Sequence, residues 1–432
     1  MSGTTPSAPA ELFRMVTLDA ITRRERAGLD RATLAAASAI VDDVLARGEP
    51  ALRAHAERLG DIAPGADLWI TRDALHAALA SIAPAERALL ERVTSRVRTF
   101  ALAQRASIQD CTLAIAGGQA GHTLLPVDRA GCYAPGGRFP LPSSVIMTVA
   151  TARAAGVREV WVASPKPTPI TLAAAAVAGA DGLLAAGGAQ AIGAMAWGIG
   201  PLPACDVVVG PGNRWVTAAK HLVSDRVGID MTAGPSELVV LADDSGNPAT
   251  IAADLLAQAE HDTDAVPILV STSEQLAGAV QREVARQLSV LPTASSAQAA
   301  LTNGGVVLCA TLDAAIAACD TIAPEHLQVM TRDASAVAAR LRHAGGIFIG
   351  ERAAEVLGDY GAGPNHVLPT GGSARFRAGL SVFTFLRART WIRIDDASAA
   401  QSLAEDAAAL ARLEGLIGHE RAALQRTSAR PG

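Results

Sequence analysis

Residues 159–186, EVWVASPKPTPITLAAAAVAGADGLLAA, hold two short apolar runs separated by a proline-led, alanine-rich segment. The runs at 159–163 and 182–186 have the length of strands. The segment between them favours helix, because alanine has the highest helix propensity. A strand, a helix and a second strand in this order predict a parallel sheet with helices on its faces. We therefore expect an α/β fold.

The same alternation continues along the chain. The further predicted strands lie at 206–210, 238–242, 267–271, 305–308 and 346–349, and the helices between them at 248–260, 274–289 and 311–319. Residues 1–130 are mostly helical in pattern, and a charged helical tail follows from about residue 398. Because 432 residues exceed the usual size of one domain, we predict two α/β domains.

Composition supports this fold class and excludes several functions. Half of the residues are hydrophobic but only 3% are aromatic, which favours helix-rich α/β packing over a β-sandwich. The net charge is −5 and no basic cluster occurs, so nothing draws the chain to nucleic acid or to an anionic membrane. Residues 182–205 carry no charge, but glycines, Pro201 and Pro203 interrupt them, and we expect buried α/β structure there, not a membrane helix.

The five cysteines form no Cys-x-x-Cys pair. We therefore expect neither a disulfide framework nor a thiolate zinc site, and this pattern fits a reducing cytoplasm.

The predicted helix at 248–260 brings Asp254, Gln258 and His261 to one face, since residues three and four apart are neighbours. An imidazole beside an amide oxygen is a reasonable half-site for zinc, and Asp254 could orient a ligand. The alternative is a histidine that caps the helix end or lies in solvent. Spacing alone does not decide between them.

Ala323-Pro324-Glu325-His326 couples an acid to a base. If these residues begin a helix, the two side chains diverge by roughly 100° and can take separate roles. A histidine near its ordinary pKa can accept a substrate proton, and a glutamate can activate water. A helix-start glutamate beside a structural histidine explains the pair equally well.

Glycine-bearing turns at 131–137, 187–193 and 210–213 are candidates for phosphate binding, the last two because they follow predicted strands and open helices. None matches Gly-x-Gly-x-x-Gly, and tight packing explains such glycines as well. A breaker-rich loop at 361–370 holds His366. Glu414 and His419 lie in the tail, where Gly415 and Gly418 make a single regular helix doubtful.

Taken together, these motifs resemble the histidinol dehydrogenase family, in the family's order over residues 130–420. The matching stretches are residues 131–147 (GCYAPGGRFPLPSSVIM), 187–198 (GGAQAIGAMAWG), 210–220 (GPGNRWVTAAK), 228–237 (GIDMTAGPSE), 254–262 (DLLAQAEHD), 323–327 (APEHL), 358–370 (GDYGAGPNHVLPT), 374–382 (ARFRAGLSV) and 414–419 (EGLIGH). As a set they are far more specific than any one of them.

The resemblance implies a zinc- and NAD-dependent oxidation of L-histidinol through L-histidinal to L-histidine. It implies that zinc is held by Gln258, His261, Asp359 and His419, and that Glu325 and His326 carry the acid–base chemistry. The residues that it implies contact the substrate are Ser236, Gln258, His261, His326, Asp359, His366, Glu414 and His419. Tyr133, Gln190 and Asn213 would bind NAD.

The resemblance further implies two Rossmann-like domains without the usual glycine fingerprint. The first comprises residues 25–130 and 236–380 and the second residues 131–235, with a helical segment at 1–24. A segment at 381–432 would reach the active site of the partner in a homodimer, which agrees with the unattached tail.

Three other hypotheses stay open at this point. A related dehydrogenase could act on another polar alcohol, such as a sulfonated diol. A zinc hydrolase could use the same ligands with Glu325 and no nucleotide. A non-catalytic oligomer could have kept the fold, although the Glu325-His326 pair argues against it.

Overall fold

A computed structural model describes residues 13–23, 29–136, 140–231 and 234–427. Its strands are β1 (Trp69–Thr71), β2 (Cys111–Ile115), β3 (Gly118–Pro126), β4 (Arg129–Tyr133), β5 (Glu159–Ala163), β6 (Gly182–Leu184), β7 (Val207–Val209), β8 (Gly228–Ile229), β9 (Glu237–Ala242), β10 (Val266–Ser271), β11 (Gly305–Leu308), β12 (His326–Met330), β13 (Gly346–Ile349) and β14 (Leu386–Ile394). Its helices are α1 (Leu18–Thr22), α2 (Arg31–Arg47), α3 (Glu49–Arg58), α4 (Arg72–Ser81), α5 (Pro84–Ala106), α6 (Pro142–Ala155), α7 (Pro169–Ala178), α8 (Gly188–Trp197), α9 (Arg214–Leu222), α10 (Pro248–His261), α11 (Glu274–Leu288), α12 (Ala294–Leu301), α13 (Leu312–Ile322), α14 (Ala334–Ala338), α15 (Glu355–Asp359), α16 (Gln401–Leu413) and α17 (Ile417–Leu424). Within these residues no helix combines the length and the apolar character needed to cross a lipid bilayer.

The first sheet has the strand order β1-β6-β5-β4-β7-β8. Strands β4 to β8 run parallel, and β1 pairs antiparallel with β6 at one edge. β5, α7 and β6 are the strand, helix and strand predicted from residues 159–186, and most alanines of α7 are buried. Helices cover both faces, so the predicted α/β class is confirmed.

The second sheet has the order β11-β10-β9-β12-β13, and all of its strands are parallel. Helices α10, α11 and α12 pack on one face, and α13 and α14 pack on the other. Both faces are therefore apolar, which explains the continuous hydrophobic run at 238–242. The predicted strands at 267–271, 305–308 and 346–349 all lie in this sheet.

A third, antiparallel sheet of order β14-β3-β2 was not anticipated. Every residue of β3 is half-buried, so neither face of the strand is purely apolar. Its sequence accordingly shows no alternation of apolar and polar residues. Without that period of two, periodicity gives no strand signal.

Residues 31–106 pack on the first sheet. Ala37, Val41 and Val44 of α2 share a core with α8, and β1 extends the sheet through β6. The family resemblance groups residues 25–130 with residues 236–380. In the structure, residues 31–106 lie instead with residues 131–235. The physical reason for this grouping is that β1 pairs antiparallel with β6. The helical pattern of residues 1–130 does not predict this strand.

The described part of the N-terminal segment, residues 13–23, joins the second sheet instead. Val16 N donates to Val306 O at 2.8 Å, Val306 N donates to Arg14 O at 2.9 Å, and Phe13 is fully buried. Only its second half, α1, is helical; residues 1–12 and 24 of the predicted segment lie outside the described residues.

A buried ion pair holds the turn after β7. The Lys220 and Asp230 side chains are in contact and are 2% and 1% exposed. Both hold Gly210: Lys220 Nζ donates to Gly210 O at 3.0 Å, and Gly210 N donates to Asp230 Oδ2 at 2.8 Å. Gly210 has φ +122°, and a Cβ there would lie 2.0 Å from Tyr133 O. The pair therefore fixes the turn against the end of β4.

We expect Lys220→Met to lower the free energy of unfolding by about 3–5 kcal/mol, because it leaves the Asp230 carboxylate buried without its counter-ion. Urea denaturation followed by tryptophan fluorescence measures this. The control is Lys166→Met, which removes the other lysine of the chain from an exposed position and should change stability by about 0.5 kcal/mol or less. A loss below about 1 kcal/mol for Lys220→Met would contradict the role given to the pair.

Candidate active site

The acid–base pair lies at the amino ends of β9 and β12 in the second sheet. Glu325 immediately precedes β12, and His326 is its first residue. The two are 7% and 3% exposed. The expectation of a helix start at this point is wrong, because residues 326–330 pair with β9 and residues 326–329 pair with β13. The side chains still diverge, since successive residues of a strand point to opposite faces.

The backbone fixes the tautomer of His326. Its Nδ1 lies 3.2 Å from Glu237 O, a carbonyl that can only accept, so Nδ1 carries the proton. Nε2 is buried and has no hydrogen-bond partner among the described residues. Burial lowers the pKa of His326, while nearby Asp359 opposes the shift. The side chain thus presents an unprotonated nitrogen that can accept a proton.

Glu325 is held by two donors. Ser236 Oγ donates to Glu325 Oε2 at 2.7 Å, and Glu237 N donates to the same oxygen at 3.1 Å. Burial raises the pKa of Glu325 to about 7, although both hydrogen bonds oppose the rise. A carboxylate with a pKa near neutrality can take and return protons.

His261, Glu355 and Asp359 form a group that could hold a metal ion. One ligand atom from each lies within 4.8 Å of those of the other two. His261 is the last residue of α10, and Glu355 and Asp359 are the first and last residues of α15. An imidazole with carboxylate oxygens suits zinc. The sequence pattern indicates His261, and the family resemblance implies Asp359. Neither indicates Glu355, whose only signal is its position four residues before Asp359 on one helix.

Gln258 lies beside this group and is fully buried. With its amide nitrogen towards Glu355 it donates to the two carboxylate oxygens at 2.7 and 3.2 Å. Its amide oxygen lies 2.9 Å from Ser236 Oγ, whose one proton is shared between this oxygen and Glu325 Oε2. In the opposite orientation the amide oxygen would face acceptors alone. The amide thus links Glu355 to the Ser236–Glu325 hydrogen bond.

The sequence places Asp254 on one helix face with Gln258 and His261, but Asp254 contacts neither of these candidate ligands. It accepts a hydrogen bond from Gln328 Nε2 at 2.8 Å, which joins α10 to β12. Burial raises the pKa of Asp254 to about 6, and the hydrogen bond from Gln328 opposes the rise. Its effect on the site is therefore to hold the helix that carries Gln258 and His261 against the strand that carries His326.

His366 lies where the two sheets meet. Its Nδ1 is 3.0 Å from Asp359 O, and its Nε2 is 3.5 Å from Ser144 Oγ on α6. The adjacent Asn365 donates to Met147 O at 2.8 Å. Burial lowers the pKa of His366. The loop thus connects the candidate metal group to a helix of the first sheet.

Glu414 and His419 are not brought into this cluster by their own chain. α16 ends at Leu413, Gly415 has φ +75°, and His419 lies on α17. Both side chains belong to exposed residues. The break expected at Gly415 is present.

Tyr133, Gln190 and Asn213 line one cavity of about 590 Å³ at the carboxyl ends of the first sheet's strands. Gln190 Oε1 is buried and has no hydrogen-bond partner among the described residues. A cavity of this size with an unpaired polar atom fits part of a dinucleotide.

The glycine turns that border the cavity already use several of their backbone donors. Gly188 N donates to Tyr133 Oη at 3.3 Å, and Trp215 N donates to Asn213 Oδ1 at 3.0 Å. Part of the turn predicted at 131–137 forms β4, and Gly137 lies outside the described residues.

Comparisons with known proteins agree on one family. The family model described as histidinol dehydrogenase matches residues 23–427. A histidinol dehydrogenase from Thermobifida fusca is 44% identical over 409 residues, which are 91% of this chain and 93% of that protein. One from Thermus thermophilus is 51% identical over 71% of this chain and 74% of its own length. The crystal structure of histidinol dehydrogenase from Elizabethkingia anophelis has a TM-score of 0.88 at 30% identity and covers 98% of this chain and 96% of that one.

Because the pKa of Asp254 is raised, we expect this residue to make the stability of the protein depend on pH. Its folded-state pKa of about 6 exceeds its ordinary value of 3.8, so the folded protein binds the extra proton in this window. Stability from this group is therefore present below about pH 4 and is lost as the pH rises through about 6. Asp254→Asn removes this dependence. The unfolding free energy of the variant minus that of wild type should therefore increase as the pH rises from about 4 to about 6.

Urea titrations at several pH values test this, with Asp244→Asn as the control, since Asp244 is exposed. The control should differ from wild type by a constant amount across the window. If the Asp254→Asn difference is equally constant, the pKa of Asp254 is not raised.

Proposed function

Because the chain belongs to the histidinol dehydrogenase family, we propose that it oxidises L-histidinol through L-histidinal to L-histidine, with NAD as oxidant and zinc as orienting metal. The family is one of oxidoreductases, which leaves the hydrolase and non-catalytic hypotheses without support. The matching relatives are themselves histidinol dehydrogenases, so a different polar alcohol such as a sulfonated diol is not favoured.

The observation that carries the proposal is the free Nε2 of His326. It is a buried, unprotonated nitrogen 3.8 Å from Asp359 Oδ1, beside the group that could hold a metal. A base in this position can take a proton from a hydroxyl group held next to it.

The donor set fits zinc, which accepts imidazole nitrogen and carboxylate or amide oxygen. His261 and Asp359, with His419 from a partner chain, would hold the ion, and Gln258 would join them with its amide turned so that the oxygen faces the ion instead of Ser236. When bound, the ion would fix the substrate and polarise its oxygen. Glu355 lies close enough to serve as a further ligand or to orient Gln258. Ser236, His366 and Glu414 would complete the substrate contacts.

In the first oxidation, His326 Nε2 would accept the hydroxyl proton, and NAD⁺ when bound would supply the acceptor for the carbon-bound hydrogen as hydride. In the second, Glu325 takes a proton from water as the water oxygen bonds to the aldehyde carbon. The product of this attack would be the anion of the hydrate, and its loss of hydride, for which a second NAD⁺ would be the acceptor, would leave the carboxylic acid. Burial of both residues keeps bulk water from the aldehyde between the steps.

For the cofactor, Tyr133, Gln190 and Asn213 would contact NAD in the cavity of the first sheet. The unpaired Gln190 Oε1 supports this assignment, because a buried acceptor without a donor carries a desolvation cost that a ligand N–H or O–H would offset.

Purified protein given L-histidinol, excess NAD⁺ and zinc should release two NADH per substrate, measured at 340 nm against a known amount of histidinol. Glu325→Gln removes the proposed water base without changing the shape of the side chain. It should slow the second oxidation by about 10²–10⁴-fold, so that a single turnover approaches one NADH.

The matched control is Glu351→Gln, at an exposed loop position, which should keep the stoichiometry of wild type. Absence of NADH from wild type would contradict the function. Normal stoichiometry at normal rate in Glu325→Gln would contradict the role of Glu325 alone.

We further propose a homodimer in which Glu414 and His419 enter the partner's site. The tail carries exposed apolar side chains that its own chain does not cover: Leu410 is 59% exposed, Leu413 86%, Leu416 44% and Ile417 49%. These residues flank Glu414 and His419, so a surface that buries them would also bury those two side chains.

Hybrid dimers test the shared site. His326→Ala and His419→Ala chains with different tags should each be inactive as homodimers. In a hybrid, the His419→Ala chain supplies His326 and its partner supplies His419, which restores one site. A random mixture should therefore recover about one quarter of wild-type activity.

The control is a doubly substituted chain mixed with wild type, whose hybrids contain no complete site. Isolated hybrids of the two single variants that remain inactive would show that each site is built within one chain.

A cytoplasmic location is also part of the proposal. The five cysteines, all within the described residues, are free thiols, and three of them are buried. Such thiols are typical of a reducing compartment.

A further inference from the structure

Asp61 is a charged residue of the cofactor cavity to which the proposed function gives no role. It lies in the loop after α3 and lines the cavity together with Arg58, Lys166 and Gln190. Burial raises the pKa of Asp61, while its hydrogen bonds and Lys166 oppose the rise. A carboxylate repels phosphate groups, so its presence in a dinucleotide cavity calls for an explanation.

The topology of the first sheet indicates which part of a dinucleotide Asp61 would meet. Dinucleotide-binding sheets have the strand order 3-2-1-4-5. The first sheet has the same order over β6-β5-β4-β7-β8 when β4 is counted as the first strand and β5 as the second. In those sheets an acidic residue after the second strand accepts a hydrogen bond from the adenosine ribose. The second strand here is β5, and Ser164, Pro165 and Lys166 follow it without an acid.

Asp61 lies at this place although it comes from another part of the chain. Lys166 N donates to Asp61 O at 3.1 Å and holds Lys166 at φ +48°, a conformation uncommon outside glycine. The Lys166 ammonium lies beside Gly60, 3.7 Å from where a Cβ on that residue would be. The loop therefore brings both a backbone contact and a negative charge to the end of β5.

The two carboxylate oxygens of Asp61 have different surroundings. Oδ2 accepts hydrogen bonds from Gly187 N at 2.8 Å and Gln190 Nε2 at 2.9 Å. It thereby occupies the first turn of α8, where a phosphate could otherwise bind. Within the part of the chain that the structure describes, Oδ1 accepts no hydrogen bond, so it is left for a ligand hydroxyl.

We propose that Asp61 selects NAD over NADP, with Oδ1 accepting a hydrogen bond from the adenosine ribose and the carboxylate charge excluding a 2′-phosphate. This inference rests on the NAD dependence in the proposed function. It makes Asp61 a specificity-determining residue, which needs no contact with the reacting atoms.

The test is calorimetric binding to the zinc-loaded protein without histidinol, so that turnover is not the readout. Wild type should bind NAD⁺ at least about tenfold more tightly than NADP⁺. Asp61→Asn keeps the size of the side chain and removes its charge, and should reduce this preference by about tenfold or more. The matched control, Asp67→Asn, removes a charge from an exposed position in the same loop and should keep the preference.

The outcomes separate this inference from the proposed function. If wild type binds neither nucleotide, the NAD dependence itself fails. If wild type binds NAD⁺ and NADP⁺ equally, or if Asp61→Asn retains the full preference, the role of Asp61 is overturned and the dehydrogenase assignment stands.

If Asp61→Asn does not fold, the inference is tested by measuring the binding of 2′-deoxy-NAD⁺ to wild type. This analogue lacks the 2′-hydroxyl of the adenosine ribose. About tenfold weaker binding than NAD⁺ supports the hydrogen bond to Asp61, and equal binding overturns it.

Discussion

The parallel pairing of β9 with β12 sets the position of every group in the candidate acid–base site. Its register places His326 opposite Leu238, so that the Glu237 carbonyl reaches His326 Nδ1 and the Glu237 N–H reaches Glu325. The backbone of one strand therefore orients both the base and the acid of the next. A shift of one residue would turn His326 to the opposite face and remove the free Nε2 from the site.

The cluster around this pairing is rich in buried acids. Burial raises the pKa values of Glu325, Glu355 and Asp254, and neighbouring carboxylates raise that of Glu355 further. Several carboxylates close together are costly to ionise without a cation. The arrangement thus favours a bound divalent ion, which would offset the repulsion and draw His261 and Asp359 together. The same burial gives Glu325 a pKa near neutrality, where it can act as a base.

The candidate catalytic residues and the cofactor cavity belong to different sheets and to opposite strand ends. Glu325 and His326 lie at amino ends in the second sheet, whereas in the first sheet Tyr133 is the last residue of β4 and Asn213 follows β7. The His366 loop joins them through its contacts with Asp359 and α6. The proposed hydride transfer would require the two regions to meet, and this loop connects them.

The sequence by itself determined the α/β class and most of the strands, because short apolar runs alternating with alanine-rich helices admit few other folds. It also indicated His261, Glu325 and His326, since these residues occur in motifs whose chemistry is local, whereas Asp359 was implied only by the family resemblance. Only the tertiary structure showed that His326 begins a strand, that Glu355 joins the candidate metal-ligand group and that Asp61 lines the candidate cofactor cavity. Each of these depends on contacts between segments far apart in the chain, and hydrophobic periodicity reports only how neighbouring residues are arranged.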